Sequence, residues 1–223
     1  MIDNPLAFFK AQLTDEENKF LNSMRTPADI QAFLDGIPYS AGETNRSPIQ
    51  VLRDKQAHCL DGGLFAVALL RCQGYPPLIL DLQPDPGQDD DHVLALFKID
   101  GCWGAVAQSN YTGLRYREAI HRTLRELVLS YFENFFNNYA QKTLRYFTRP
   151  INLQQFDRHG WMWSSGGVDA IEKHLKKARL FPLITSAQAA RLIAVEEQSF
   201  QAGRLGINEQ GVYIAKTKPR KNR

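Results

Sequence analysis

Residues 57–70 of this chain read Ala57-His58-Cys59-Leu60-Asp61-Gly62-Gly63-Leu64-Phe65-Ala66-Val67-Ala68-Leu69-Leu70. The stretch is apolar on nearly every face, which is typical of a helix buried in a protein core. Counting at helical spacing from Cys59 reaches Gly62, Gly63 and then Ala66, so one face carries small residues. Because each interior glycine costs a helix about 1 kcal/mol relative to alanine, we expect another backbone to approach this face closely.

Cys59 falls in the first turn of the predicted helix. Free N–H groups and the helix dipole favour a thiolate at that position, so the pattern indicates a nucleophile. The alternative is an inert buried cysteine, which is the usual fate of a lone Cys.

The chain has 223 residues and a net charge of +3, a charge that does not by itself indicate nucleic-acid binding. We expect one domain over residues 1–215 with its core at about 49–147, followed by a basic flexible tail at 216–223. Three widely spaced cysteines argue against a disulfide framework. No signal peptide and no membrane-spanning apolar run are evident, so we expect a cytoplasmic protein with no membrane association.

The sequence predicts helices followed by an antiparallel sheet, an order that is typical of the α+β class. The elements expected in the first half are three helices between residues 5 and 35, a helix over 57–74, and strands at 78–82, 92–99 and 102–109. Asp100-Gly101 is the strongest hairpin signal in the chain, since this dipeptide fits a two-residue turn. The second half predicts a helix over 117–137, a strand at 143–147, a strand-like pair Trp161 and Trp163, helices at 168–179 and 186–201, and an edge strand at 211–215.

The hairpin brings polar side chains to its open end. Counting outward from the turn at Asp100-Gly101 places His92 opposite Ser109 on the same face of the sheet. A single bulge in the return strand would instead bring Asn110 or Gln108 opposite the ring.

Cys59 can join this pair if the glycine face of its helix lies on the same sheet face. The order is then a thiol, an imidazole and a polar orienting group, and each has a chemical task. The thiolate attacks an acyl carbon, His92 takes and returns the proton, and the third group holds the ring in the right tautomer.

This arrangement resembles the transglutaminase-like superfamily, which has a papain-like Cys-His-Asp core. The resemblance rests on a Cys at a helix start, a strand that opens with His, a tight hairpin and a return strand that carries Trp. The motifs that match bacterial members of unassigned function are Ala57-His58-Cys59-Leu60-Asp61-Gly62, Asp91-His92-Val93, Trp103-Gly104-Ala105 and Leu114-Arg115-Tyr116-Arg117-Glu118. The superfamily core covers about residues 49–110 and the narrower resemblance reaches about residue 147.

The resemblance implies a nucleophile helix packed on an antiparallel sheet, with extra helices at both ends of the chain. It assigns Cys59 as nucleophile and His92 as base. The return strand of the superfamily usually carries an aspartate, whereas here Asn110 is the expected orienting group and strict register favours Ser109.

The expected oxyanion and substrate-binding groups are more loosely defined. Gln56 is a candidate oxyanion donor, and the backbone N–H of Cys59 is the more general one. We expect Trp103 and Asp91, which belong to the matched motifs, on the substrate side.

The predicted function is hydrolysis of a peptide, isopeptide or other amide bond through an acyl-enzyme on Cys59, or transfer of the acyl group to an amine. We expect a peptide or protein substrate, no cofactor and no metal, because no His/Cys cluster accompanies the acidic run Asp89–Asp91. The main alternative is a catalytically silent domain that binds peptides or proteins in the same cleft. A nucleic-acid binder that uses Arg115, Arg117 and the basic tail is a third reading, for which no basic stripe is evident.

Overall fold

The structure is a computed structural model that describes residues 4–42 and 44–215. It is a mixed α+β fold in which helices pack on an open antiparallel sheet. The predicted basic tail at 216–223 lies outside the described residues. The α-helices of the described part are α1 (Pro5–Ala11), α2 (Asp15–Ser23), α3 (Pro27–Asp35), α4 (Pro48–Asp54), α5 (Cys59–Cys72), α6 (Leu124–Leu129), α7 (Ser165–Leu175), α8 (Ser186–Ala189) and α9 (Glu197–Gly203).

The sheet has seven strands in the described part of the chain, and its main path runs β4-β3-β2-β1-β5-β7, with β6 beside β1. The strands are β1 (Leu78–Pro84), β2 (His92–Ile99), β3 (Cys102–Val106), β4 (Arg117–His121), β5 (Leu144–Thr148), β6 (Ile151–Asn152) and β7 (Leu180–Pro182). All pairings are antiparallel.

The predicted β2–β3 hairpin is confirmed. Asp100 and Gly101 have φ angles of 49° and 82°, as a two-residue turn with both central residues in the left-handed region requires. Ile99 then pairs with Cys102. The strand β3 ends at Val106, however, so the ladder stops before it reaches His92.

The three predicted N-terminal helices are also confirmed, and their starts follow from local capping. Thr14 and Glu17 form a reciprocal capping box at α2, as their spacing predicts. Pro27 occupies the first position of α3, where its missing N–H costs nothing.

Helix α5 is the centre of the core, and its twelve residues from Cys59 to Leu70 are all buried. It packs on the sheet face that carries Ile79, Val93 and Ala95. A Cβ at Gly62 would lie 2.3 Å from Cβ of Gln108, and one at Gly63 would lie 3.0 Å from Val93 Cγ1. The close approach predicted for the glycine face is therefore confirmed.

The predicted helix over 117–137 is wrong. The chain forms β4 on the edge of the sheet, and Thr123 then caps the short helix α6 through a capping box with Glu126. Pairing of Trp103 with His121 gives the backbone of β4 its hydrogen-bond partners. A 3₁₀ turn at Phe132–Asn134 replaces the end of the predicted helix.

Smaller differences lie in the C-terminal third. The segment with Trp161 and Trp163 is a turn rather than a strand, although Trp161 is fully buried as a packing residue. The helix predicted over 186–201 is divided into α8 and α9, and 211–215 forms no strand. The short strands β6 and β7 are not predicted, because their sequences show no clear alternation of apolar and polar residues. The predicted strand at 143–147 is confirmed as β5.

None of the helices in residues 4–42 and 44–215 combines the length and the apolar character needed to cross a membrane.

Candidate active site

Cys59 is the first residue of α5, and His58 is its N-cap. A ring nitrogen of His58 accepts a hydrogen bond from the Asp61 backbone N–H at 3.5 Å, which satisfies one free donor of the first turn. The Cys59 thiol donates weakly to the carbonyl oxygen of Asp91 at 3.8 Å. All three cysteines of the chain are free.

Cys59 and His92 line one small cavity of about 40 Å³. Asp91, Asn110 and Tyr39 contribute to the same lining. Cys59, Asp91 and Tyr39 also line a second, larger cavity of about 530 Å³. The thiol therefore lies between a small space shared with His92 and a space large enough for a ligand.

His92 is almost fully buried, and its Nε2 lies 2.7 Å from the carbonyl oxygen of Leu114. A carbonyl only accepts, so Nε2 carries the proton and Nδ1 is the basic nitrogen of the neutral ring. The backbone of Leu114 thus fixes the tautomer of the ring, which is the task expected of a third catalytic group. Burial lowers the pKa of His92 to about 4.

The condition that the glycine face of α5 and His92 share one sheet face is not met. Side chains alternate along a strand, and α5 covers Val93 and Ala95, whereas Leu94 and Leu96 pack in the cluster on the other face. His92 has the parity of Leu94, and its ring lies edge-on to Tyr131 in that second cluster. It reaches the Cys59 cavity only because it is the first residue of β2. Within the described residues, no hydrogen bond joins the Cys59 thiol to the His92 ring.

Ser109 and Asn110 both line the cavity, but neither is hydrogen-bonded to the ring of His92. Ser109 Oγ accepts from the backbone N–H of Tyr111 at 3.0 Å. The Asn110 side chain is committed to Asn208. Because the chain leaves the ladder after Val106, the strict register that placed Ser109 opposite His92 does not extend so far.

Of the other three predicted site residues, one lies beside the thiol and two lie away from it. Asp91 lines both cavities. Trp103 lies next to the hairpin turn, at the opposite end of β2 from His92, where the ammonium of Lys98 sits 4.8 Å from its ring centre. Gln56 is half-buried between α4 and α5 and lines neither of the cavities that Cys59 lines. The structure thus brings Asp91, but not Trp103 or Gln56, to the thiol.

Buried acidic side chains lie close to Cys59. Asp81 on β1 is fully buried, and its Oδ2 accepts from Gln83 Nε2 at 2.6 Å. The same amide donates to Asp91 Oδ2 at 3.2 Å, so one donor serves two carboxylates. Burial raises the pKa of both groups, that of Asp91 to about 6. Asp81 Oδ1 has no hydrogen-bond partner among the described residues.

These charges act on the nucleophile. Burial and then the charges of Asp91, Asp90 and Asp81 raise the pKa of the Cys59 thiol well above its ordinary value. The helix N-terminus, which alone would favour a thiolate, is outweighed. In the resting state Cys59 is a thiol and His92 a neutral imidazole.

Tyr39 and the carbonyl of Leu114 complete the site without a clear signal in the sequence. Ser40 N–H donates to Ala57 O at 3.0 Å, which ties the loop of Tyr39 to the residues just before α5. The Tyr39 hydroxyl faces Cys59: burial and then charge on Cys59 raise its pKa, while the Cys59 backbone N–H acts in the opposite direction. Leu114 does belong to the matched run 114–118, but the role of its backbone carbonyl cannot be predicted from the residue type.

We expect Asp91→Asn to speed alkylation of Cys59 several-fold at pH 8, measured by mass spectrometry of the Cys59 peptide. Asp91 is ionised above about pH 6, so removing its charge lowers the pKa of the thiol there and raises the thiolate fraction. Below pH 6 variant and wild type should converge. Asp100→Asn is the matched control, because it makes the same charge change about 30 Å away along β2. Equal acceleration by both variants would contradict a local effect.

No group of three or more His, Cys, Asp or Glu side chains in the described part of the chain is arranged to hold a metal ion. The chain matches no protein-family model and no curated protein sequence.

Proposed function

We propose that this protein is a cysteine-dependent acyl-transfer enzyme of the transglutaminase-like type, which hydrolyses a peptide, isopeptide or other amide bond through an acyl-enzyme on Cys59. The observation that carries the proposal is the tautomer of His92. Its Nε2–H donates to the Leu114 carbonyl, which leaves Nδ1 as the basic nitrogen of a ring that lines the cavity of the thiol.

The chemistry needs three groups of this chain. The Cys59 proton passes to Nδ1 of His92 as the sulfur bonds to the acyl carbon, and the imidazolium then protonates the departing amine. Water, deprotonated by the same nitrogen, releases the acid and restores the thiol, or an amine takes the acyl group instead. The Cys59 backbone N–H, which is engaged by Tyr39 at rest, is the donor for the oxyanion once substrate displaces the Tyr39 hydroxyl.

The absent aspartate has a chemical consequence. A neutral carbonyl orients His92 but stabilises its imidazolium less than a carboxylate would, which agrees with the low pKa of this histidine. Proton transfer also requires thiol and ring to approach, since no hydrogen bond joins them at rest, and such bonds often tighten only when substrate binds. The reducing cytoplasm expected from the cysteine pattern would keep Cys59 as a thiol.

A second candidate is a catalytically silent domain that binds a peptide or protein in the same cleft. It is favoured by the raised pKa of the thiol and the lowered pKa of His92, because these shifts oppose a thiolate–imidazolium pair. In that case Cys59 is a buried packing residue.

The two candidates separate in an acyl-trapping experiment. The protein is incubated with p-nitrophenyl acetate at pH 8, and the thioester is located by peptide mass spectrometry. We expect one acetyl group on Cys59 in the wild type and a loss of acylation in His92→Ala, with Cys72 and Cys102 unmodified in both. Acylation that is equal in the wild type and His92→Ala, or absent from Cys59, would support the binding domain.

A further inference from the structure

The last described residues lie across the candidate site. After α9, residues 204–215, which we name the C-terminal strap, run past Asn110 and Tyr39. Gly211 and Tyr213 of the strap line the small cavity together with Cys59 and His92. Gly211 also lines the larger cavity. The strap therefore closes one side of both spaces around the thiol.

Asn110 holds the strap through hydrogen bonds to the strap's backbone. Asn110 Nδ2 donates to the carbonyl oxygen of Asn208 at 2.9 Å, and Asn110 Oδ1 accepts from the N–H of the same residue at 2.8 Å. Asn208 is extended there, with φ −82° and ψ 105°. In an extended residue both groups point to one side, so a side-chain amide satisfies the pair whatever the residue is. The geometry is that of a side chain that binds the backbone of an extended peptide.

The strap also rests on Tyr39. Asn208 Nδ2 donates to the Tyr39 carbonyl at 3.0 Å. A Cβ at Gly211 would lie 3.0 Å from Cδ1 of the Tyr39 ring and 3.3 Å from Asn110 Nδ2, so only a glycine packs there without displacement. Because Tyr39 and Cys59 line the same two cavities, the strap holds in place a side chain that lies beside the thiol.

The apolar side chains of the strap are only partly buried. Leu205 and Ile214 are 77% and 75% exposed, Ile207, Val212 and Tyr213 are half-buried, and Ala215 is buried. The ion pair between Arg204 and Glu209 lies within the segment itself. A segment held by a few hydrogen bonds and partly buried side chains opens locally at a lower free-energy cost than the core does. The strap can therefore leave the site while the sheet and α5 stay folded.

We infer that Asn110 and Tyr39 form a groove for an extended polypeptide beside Cys59, and that the C-terminal strap fills this groove in the resting protein. The enzyme's substrate is then a polypeptide segment whose backbone replaces that of Asn208 on Asn110. This substrate assignment rests on the proposed function, whereas the occupancy of the groove by the strap does not. Access to Cys59 is controlled by competition between strap and incoming chain.

The test is the alkylation rate of Cys59 by N-ethylmaleimide in the full chain, with Cys72 and Cys102 as internal references. In Gly211→Trp the indole does not fit between Tyr39 and Asn110, so the strap is displaced. We expect Cys59 to react about tenfold faster, the factor set by the loss of a few hydrogen bonds of modest net strength. Gln210→Trp adds the same side chain at an exposed neighbour and should behave as wild type. A synthetic peptide of residues 204–215 should slow Cys59 again in Gly211→Trp.

An unchanged Cys59 rate in Gly211→Trp would overturn the inference. If all three cysteines accelerate together, the variant has unfolded and the decision passes to Asn208→Ala. That change removes only the side-chain bonds of the strap and must accelerate Cys59 alone for the inference to stand. If the strap behaves as expected but p-nitrophenyl acetate leaves Cys59 of Gly211→Trp unmodified, the groove stands and the enzyme proposal fails. If Cys59 is acylated but Gly211→Trp does not change its alkylation rate, the inference about the strap fails and the enzyme proposal stands.

Discussion

Cys59→Ala is expected to reduce acyl transfer to background while changing the free energy of unfolding by less than about 1 kcal/mol. The thiol donates to Asp91 O at 3.8 Å, and its other polar neighbours are Tyr39 and the backbone of Val93, so its removal costs only the weak hydrogen bonds that sulfur makes. Loss of the sulfur removes the covalent intermediate altogether, which typically costs many orders of magnitude. Urea unfolding and p-nitrophenol release measure the two quantities on one preparation.

His92→Ala is the informative contrast, because it should lower both activity and stability. We expect about a 10³-fold loss of acyl transfer from removal of the base. Loss of the buried ring leaves the Leu114 carbonyl without its partner, which costs about 2 kcal/mol and lowers the melting temperature by about 5 °C.

Cys102→Ala and Cys72→Ala serve as controls for the thiol chemistry, since neither residue lines the cavities of the site. Both should retain full activity. A Cys59→Ala protein that still transfers acyl groups, or that loses several kcal/mol of stability, would contradict the assignment of Cys59 as a nucleophile with little structural role.

Gly62→Ala should destabilise the protein by about 2 kcal/mol, although alanine is the better helix former by about 1 kcal/mol. The added methyl would lie 2.3 Å from Gln108 Cβ. Gln108 has little freedom to yield, because its Nε2 donates to the Leu34 and Ile37 carbonyls and its Oε1 accepts from Ser109 N–H. Overpacking against a fixed neighbour therefore outweighs the gain in propensity.

Gly166→Ala is the matched control for a helical glycine. It lies exposed in α7, and its nearest contact to an added Cβ is Ser164 Oγ at 3.7 Å, an ordinary distance. We expect it to stabilise the protein by up to about 1 kcal/mol. Urea unfolding curves of the two variants should shift in opposite directions; a shift of Gly62→Ala toward higher urea would refute the close contact between α5 and Gln108.

The sequence predicts best where local chemistry and burial agree. The α5 segment is apolar on nearly every face and ends before Gly74, whose φ of 92° needs a glycine. The turn at Asp100-Gly101 leaves one register for its hairpin. In both places neighbours in the chain decide the structure, so a single sequence is sufficient.

Prediction from the sequence fails where a segment distant in the chain determines the local structure. The apolar stripe from Ile120 to Phe135 favoured one helix, yet Ile120 is 72% exposed on β4 because that strand pairs with β3. A local signal does exist at Thr123 and Glu126, whose spacing fits the start of a new helix. The strand before it has no such signal, since its hydrogen bonds come from residues some 15 positions earlier.

At the candidate site the sequence predicts which residues lie there better than it predicts which of them contact one another. Cys59 and His92 do line one cavity, as the predicted order of elements suggests. Which sheet face α5 covers depends on packing of Gly62 and Gly63, and it is the face that His92 does not share. The strap contact between Asn110 and Asn208 joins residues 98 positions apart, beyond the reach of pattern and register.

The order of the elements along the chain also fixes the order in which they are synthesised. Residues 59–106 supply α5, β1, β2 and β3, whereas Trp161 and Ile171, which belong to the same core as α5, are made later. Gly211 and Tyr213, which line the cavity of Cys59, are made later still. A nascent chain that has not yet reached Gly211 therefore carries Cys59 without the strap that closes one side of its cavity.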